Sequence, residues 1–395
     1  MKMELVRRAA ALALVSIATA LVLPAAAQNA TRNASDSASP AAPAALTGDF
    51  KAAIVMDADT GLILVAHEAR ARRQPASMLK MMTELLVLES IAEGDLKFED
   101  KVKVSAKSSN MGGSQVYLKH NEVFTVEELL KALAIHSAND AAVALAEHLA
   151  GSTEAFVDLM NMRAADMGMV DTKFSTVHGL PPGWKQEADL TSARDMAILG
   201  RELVSYPHAL EWASTKTAPF RDGKFTLYNP NKLVGNYRGL DGIKTGYTGP
   251  AGFCVTASAV QKGKRLISVV MGCSTDKARA TETTRLLTYG FNMYTQVPVI
   301  TTAGESLQGS VKVKGGKKKT VEVAYGDALT VSVPRNREQD LRIETRIQEP
   351  VEAPLAEGVQ IGRAVVTLDG VELGSVPLVT AVRVEKGNWL NRLLN

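Results

Sequence analysis

Two pairs of β-rich runs stand at the two ends of a long helical stretch, and that arrangement limits the folds open to this chain. Residues 52–66 are two short runs around Asp57-Ala58-Asp59-Thr60-Gly61, the pattern of a hairpin. Residues 252–259 and 265–271 make the second pair, joined by Gln261-Lys262-Gly263-Lys264. Between the pairs the apolar spacing becomes helical: from Ser77 to near Gly94, near 126–135, then 139–149, 153–167 and 191–204. The first of these is apolar almost all the way round its first turns, which predicts burial. Thr125, with Glu128 three residues later, reads as a capping box for the second. A last helix is expected at 278–294. Strand pairs at both ends of a helical middle predict one sheet assembled from the chain's two ends. Asp57, Asp59 and Glu68 also fall at positions 1, 3 and 12 of a calcium loop. Its sixth position, where the turn needs Gly, is Leu62, so the hairpin reading stands.

Beyond Val297 the texture changes. Val311, Val313, Val321, Val323, Val331 and Val333 mark short alternating strands between Gly, Pro and charged turns, a pattern that continues to Val384. It predicts a small, β-sandwich-like domain over residues 296–384, with the lysine cluster at 314–319 on a solvated hairpin tip. At the other end, Lys2, Arg7 and Arg8 precede an apolar run from Ala9 to Leu23, then Pro24 and Ala25-Ala26-Ala27. This is the pattern of a signal peptide over residues 1–27. The run of 15 residues falls short of the ~20 a membrane span needs. Export to the periplasm of a bacterium is expected, followed by a flexible leader over 28–47 rich in Ala, Ser, Asn and Pro.

Composition removes several classes of function. The chain has 395 residues, and 45 Lys+Arg against 42 Asp+Glu leave a net charge of +3. The first 27 residues carry +2 of that, so the rest is close to neutral and lacks the basic face a nucleic-acid binder needs. Two cysteines, Cys254 and Cys273, exclude a disulfide scaffold, and free thiols are expected. The six histidines show no His-Glu-x-x-His spacing, so no metal or cofactor is expected.

Three short motifs carry the chemistry. In Ser77-x-x-Lys80 the spacing puts hydroxyl and amine on one helix face. A lysine in so apolar a helix must be compensated or give up its proton, and a neutral amine is a competent base for a serine. Ser137-Ala138-Asn139 stands at the junction of two apolar helices. Lys244-Thr245-Gly246 lies between Gly242 and Gly249, where small residues and an edge strand would admit an extended peptide. Lys244 would be a fixed cation that keeps Lys80 deprotonated. Two of the patterns also occur elsewhere, as Ser274-Thr275-Asp276-Lys277 and Ser108-Ser109-Asn110, so neither is evidence alone. The order of all three is.

With these motifs, residues 48–385 resemble the penicillin-interacting serine enzymes, specifically the low-molecular-mass D-alanyl-D-alanine carboxypeptidases of the S11 peptidase family. Thr176-Val177-His178-Gly179-Leu180, Thr191-Ser192-Ala193-Arg194-Asp195-Met196 and Lys244-Thr245-Gly246-Tyr247-Thr248 are family-like as well. The resemblance implies an α+β fold: a penicillin-binding/β-lactamase-like catalytic domain over 48–295, its antiparallel sheet flanked by helices, then the small all-β domain. It implies Ser77 as the acylated nucleophile, Lys80 as its base and Ser137 as a proton relay. Asn139 would hold the substrate amide, Thr245 and Arg279 its terminal carboxylate, and Gly246 would leave room for its backbone. The backbone N–H groups of Ser77 and Tyr247 would form the oxyanion hole, and His178 would support the site. The implied substrates are peptidoglycan stem peptides ending in D-Ala-D-Ala, and β-lactams would acylate the same serine. Tyr247 departs from relatives with His there. The tail at 385–395 is much shorter than the family's amphipathic anchor, so at most a weak peripheral association with the inner membrane is expected. A β-lactamase is disfavoured because no Glu-x-x-Leu-Asn lies between Ser137 and Lys244. A D,D-endopeptidase and a non-catalytic penicillin-binding sensor remain as rivals.

Overall fold

The structure is a computed structural model, and it describes residues 46–388 except 182, 184–186 and 349. Residues 1–45, where a signal peptide and linker are expected, and the tail from 389 therefore lie outside the described residues. Strands β1 (Ala52–Asp57) and β2 (Ile63–His67) form the first hairpin. A 3-10 turn at Ala76–Leu79 leads into α1 (Lys80–Ala92). Short strands β3 (Lys101–Lys103) and β4 (Val123–Thr125) pair around α2 (Ala106–Ser109). Then come α3 (Val126–His136), α4 (Asn139–Ala150), α5 (Thr153–Asp166), α6 (Ala193–Leu203) and α7 (Pro207–Ala213). A small hairpin, β5 (Thr217–Phe220) and β6 (Phe225–Tyr228), precedes β7 (Leu240–Thr248), β8 (Gly252–Gln261), β9 (Lys264–Cys273) and α8 (Asp276–Met293).

The chain's two ends do build one antiparallel sheet, ordered β2-β1-β9-β8-β7. Its strands alternate between two cores, as the two-residue period of a strand requires. Ala52, Ile54, Met56, Ile267, Val269 and Met271 face the helical core around α1, α3, α4 and α6. Ala53, Val55, Leu266 and Val270 face the other way, toward α8. The same alternation settles the cysteines. Cys273 sits opposite Phe253, one residue out of register with Cys254, so the two thiols enter opposite cores and both are free.

The Thr125–Glu128 capping box is present in full, with both reciprocal hydrogen bonds. Two expectations shift. Ser77 lies in the 3-10 turn, and the α-helix starts only at Lys80. The Lys244 triplet does not precede a strand but lies inside β7, an edge strand of the sheet.

The C-terminal part is all-β. A two-stranded ribbon joins β10 (Tyr294–Ile300) to β13 (Leu329–Pro334). A six-stranded sheet contains β11 (Ser306–Lys314), β12 (Thr320–Tyr325), β14 (Arg342–Ile347), β15 (Val351–Glu352), β16 (Gln360–Leu368) and β17 (Val371–Thr380). The lysine cluster is the β11–β12 connection, where Lys317 pairs with Glu385. Val331, Val333, Val366, Leu368 and Leu373 pack into the same core as Leu64, Leu287 and Phe291, so the β-domain and the catalytic sheet share apolar contacts.

Candidate active site

The three motifs meet where α1, the α3–α4 junction and β7 converge. Ser77 precedes α1 by three residues, one 3-10 turn, after Ala76 in a left-handed backbone conformation (φ +48°). Gly246 lets the edge strand approach it. A Cβ there would stand 2.7 Å from the Pro75 carbonyl oxygen and 3.1 Å from the Ser77 nitrogen.

Lys80 is fully buried, and its Nζ lies 2.8 Å from Ser77 Oγ and 2.8 Å from the His178 carbonyl oxygen. Burial is the main force driving its pKa well below that of an ordinary lysine, and repulsion from Lys244 adds to it. Asp140 and Asp189 act in the opposite sense without reversing the shift. An amine with its proton affinity lowered by burial, in contact with a serine hydroxyl, is suited to take that hydroxyl's proton.

Ser137 ends α3 with a left-handed backbone (φ +64°), and its buried Oγ has no hydrogen-bond partner among the described residues. Asn139 opens α4; its Nδ2 donates to the Gly112 carbonyl at 2.7 Å, while Oδ1 is unpartnered. Buried polar atoms normally find partners, so two unpartnered ones on the α3–α4 junction mark a place where a polar ligand would complete the set.

Lys244 and Thr245 are both buried. The lysine is not a fixed cation: burial holds its pKa down to about 7, with Glu84 raising it and Arg279 lowering it. Its charge at neutral pH is therefore conditional. Tyr247 is exposed and stacks on Phe253 at 4.2 Å. Arg279 is buried rather than a surface residue at a helix start. It pairs with Asp276, donates to the Cys254 carbonyl and lies 5.7 Å over the Phe253 ring. His178 contributes its carbonyl to Lys80, and its Nδ1 accepts from the Leu180 N–H. Burial, with Lys80 and Lys107 nearby, lowers the imidazole to about 4, so the ring is neutral.

The duplicate patterns do other work. Ser274 binds Asp49 in a polar turn, and Ser108 Oγ donates to the Asp140 carbonyl, bracing α2 against α4. Three carboxylates were not singled out from the sequence. Asp189 accepts from the Ser175 and Thr176 N–H groups and the Thr176 hydroxyl, fixing the turn that presents the His178 carbonyl. Asp140 accepts from the Val116 and Leu118 N–H groups, holding the loop beside Asn139. Glu84, one turn past Lys80, is buried with Oε1 unpartnered, and burial pushes its pKa up to about 8. Glu84 had a signal, a second charge among the apolar first turns of α1, four residues after Lys80. Among the described residues no group of three His, Cys, Asp or Glu side chains gathers to hold a metal.

Comparison with known proteins identifies the family. The D-alanyl-D-alanine carboxypeptidase family model, peptidase S11, matches residues 37–275, and that of the penicillin-binding protein 5 C-terminal domain matches 296–386. D-alanyl-D-alanine carboxypeptidase DacF of Bacillus subtilis (strain 168) is 37% identical over 352 residues, covering 88% of this chain and 89% of its own. The crystal structure of penicillin-binding protein 5 from Haemophilus influenzae superposes with a TM-score of 0.78 at 31% identity, covering 87% of this chain and all of its own. Penicillin-binding protein D2 from Listeria monocytogenes, in its ampicillin-bound form, matches 63% of this chain and all of its own, with a TM-score of 0.58 and 31% identity. The chain thus belongs to the S11 family of serine-type D-alanyl-D-alanine carboxypeptidases, which are hydrolases.

Proposed function

We propose that Ser77 is the nucleophile and Lys80 its general base in removing the terminal D-alanine from peptidoglycan stem pentapeptides. The observation that carries this reading is the buried Lys80 amine, 2.8 Å from Ser77 Oγ, with its proton affinity lowered by burial. Ser77 Oγ attacks the penultimate D-Ala carbonyl and its proton passes to Lys80. The peptide C–N bond breaks as Lys80 returns that proton, through Ser137, to the departing D-alanine amine. Water then attacks the acyl-enzyme, giving up a proton to Lys80, and the ester bond to Ser77 breaks as Lys80 passes that proton back to Ser77 Oγ. Asn139 holds the substrate amide, while Lys244, Thr245 and Arg279 attract the terminal carboxylate. The exposed side of β7, with Gly246 and Tyr247, receives the peptide backbone. The Ser77 and Tyr247 N–H groups stabilise the oxyanion. β-Lactams acylate Ser77 because they bring an amide and a carboxylate to the same groups.

The catalytic domain spans 48–295 and the β-domain 296–384 in this reading. Residues 1–27 direct export, and the protein works in the periplasm. No helix among the described residues is long and apolar enough to cross a membrane. The tail at 385–395 makes a weak peripheral contact with the inner membrane. The test is D-alanine release from diacyl-Lys-D-Ala-D-Ala by the purified exported protein and by Ser77→Ala. Release by the parent alone supports the assignment. Penicillin acylation without D-alanine release by a folded parent would point instead to an endopeptidase or a sensor.

A further inference from the structure

The lysine run that the chemistry leaves unused is built into a well-braced tip of the β-domain. At the β11–β12 connection Lys312, Lys314, Lys317, Lys318 and Lys319 are all exposed, while Val313 between the first two is buried. Gly316 packs the turn closely. A Cβ there would stand 2.8 Å from the Lys318 carbonyl oxygen and 2.9 Å from Val384 Cγ1. The last described residues are zipped onto the same tip. Lys317 N–H donates to the Glu385 carbonyl at 2.9 Å, and Gly387 N–H to the Gly315 carbonyl at 2.8 Å. That pairing brings exposed Arg383 and Lys386 beside the lysines. The core beneath, which includes Val313, Val321, Val351 and Val384, is drawn from residues 300–384 alone.

Seven cations therefore share this tip with two carboxylates. Glu385 pairs with Lys317, and Glu352 lies beside Lys314 in the β11–β15 register. The chain after residue 27 is close to neutral, so the tip is a local concentration of charge and not a reflection of composition. Like charges held this close repel, and an external anionic surface relieves the repulsion. The course of the chain says which surface. It leaves the tip at Asn388, and the residues that follow include Trp389, Leu390, Leu393 and Leu394. Basic side chains next to an apolar, Trp-bearing segment match the anionic headgroups of a bilayer next to its acyl boundary. A free polyanion meets the first half of that match and not the second.

We propose that the β11–β12 tip is a docking surface for anionic phospholipid headgroups, acting beside the C-terminal segment to hold the protein at the membrane. The assignment rests on the peripheral contact given above to the tail and adds charge selectivity to it. The test is co-sedimentation of the full exported chain with phosphatidylcholine vesicles and with equimolar phosphatidylcholine–phosphatidylglycerol vesicles. The parent should bind the anionic vesicles on the order of a hundredfold more tightly at low salt, and lose most of that preference above physiological salt. Lys314→Gln, Lys318→Gln and Lys319→Gln combined should cost about fivefold per lysine on anionic vesicles and nothing on neutral ones. Arginine at the same three positions should bind as the parent does. Arg342→Gln, Arg346→Gln and Arg363→Gln combined remove the same charge from exposed positions elsewhere on the β-domain, and should leave binding unchanged. Thermal transitions and penicillin acylation report whether each variant has folded. Equal binding of the parent to both vesicles, or parent-like binding by the lysine-to-glutamine variant, would overturn the tip and leave the tail's contact standing. An equal loss in the arginine-to-glutamine variant would reduce the effect to net charge and overturn the tip as well. Binding of the parent to neither vesicle would overturn the membrane contact itself.

Discussion

Lys80 and Lys244 are both buried, yet they respond to pH differently. For Lys80 burial dominates and the Lys244 charge adds repulsion, while Lys244 itself titrates near neutrality. Lys244→Met keeps the apolar bulk and removes the repulsion, so the Lys80 pKa should rise. The acidic limb of the pH profile for penicillin acylation should then move to higher pH, by on the order of one unit. An unmoved limb would show that burial alone sets the Lys80 base. Glu84 gives a separate reading through stability. Its pKa is raised from 4.5 to about 8 in the folded protein. The folded chain therefore holds a proton that the unfolded chain releases above pH 4.5. The stabilisation from this group is full below that pH and is lost as pH rises to about 8. Glu84→Gln removes the dependence. The variant should match the parent near pH 4 and exceed it by about 3 kcal/mol at pH 7, measured by urea unfolding at each pH. A constant difference across that range would mean that Glu84 is ionised in the native state.

At the scale of elements, what could be read from the sequence followed repeating patterns, and what could not depended on contacts across long separations. The helices around 126–135, 139–149 and 153–167 showed themselves by apolar spacing, and Thr125 with Glu128 by a cap that needs only four consecutive residues. The two-ended sheet followed from strand pairs at each end. Strand β7 was hidden because Gly242, Gly246 and Gly249 imitate a turn, although in an edge strand Gly246 serves the close approach of Ser77. The short β3–β4 and β5–β6 hairpins have too few residues to show a period. The three motifs were legible because their spacing is local. The turn at 175–179 was not, since it is fixed by Asp189 from more than a dozen residues away. Asp189→Asn puts an amide among backbone donors and should cost on the order of 1–3 kcal/mol. It should also slow penicillin acylation, because the carbonyl that orients Lys80 loses its support. Stopped-flow acylation beside a thermal melt separates the two effects. Parent-like acylation in a destabilised variant would detach this turn from the chemistry.

For the whole molecule, the issue is how the β-domain is attached. The attachment lies at β1, toward the opposite edge of the sheet from β7. Asp57, wholly buried at the end of β1, accepts from the Asp59 and Thr60 N–H groups within its own turn. It also accepts from Gln296 Nε2 on β10 and from Ser332 Oγ on β13, the latter at 2.5 Å. Tyr294 donates its hydroxyl to the Leu64 carbonyl, and Lys264 Nζ donates to the Gly290 and Tyr294 carbonyls where α8 runs into β10. Around these bonds lies an apolar core drawn from both domains, including Leu64, Leu287, Phe291, Val331 and Val366. Asp57→Ala leaves the Ser332 hydroxyl and two backbone N–H groups without their acceptor, while Gln296 Nε2 keeps Asp59 Oδ2 at 2.7 Å, a loss of on the order of 3–5 kcal/mol. Since the shared apolar core remains, unfolding should stay a single transition at lower temperature. Since Ser77 stands against β7, the folded fraction should keep the parent's penicillin acylation rate. Calorimetry resolving two transitions would show that the polar clip, and not the apolar core, couples the domains. Loss of acylation in a folded Asp57→Ala protein would show that the β-domain's seating reaches the catalytic groups through the sheet.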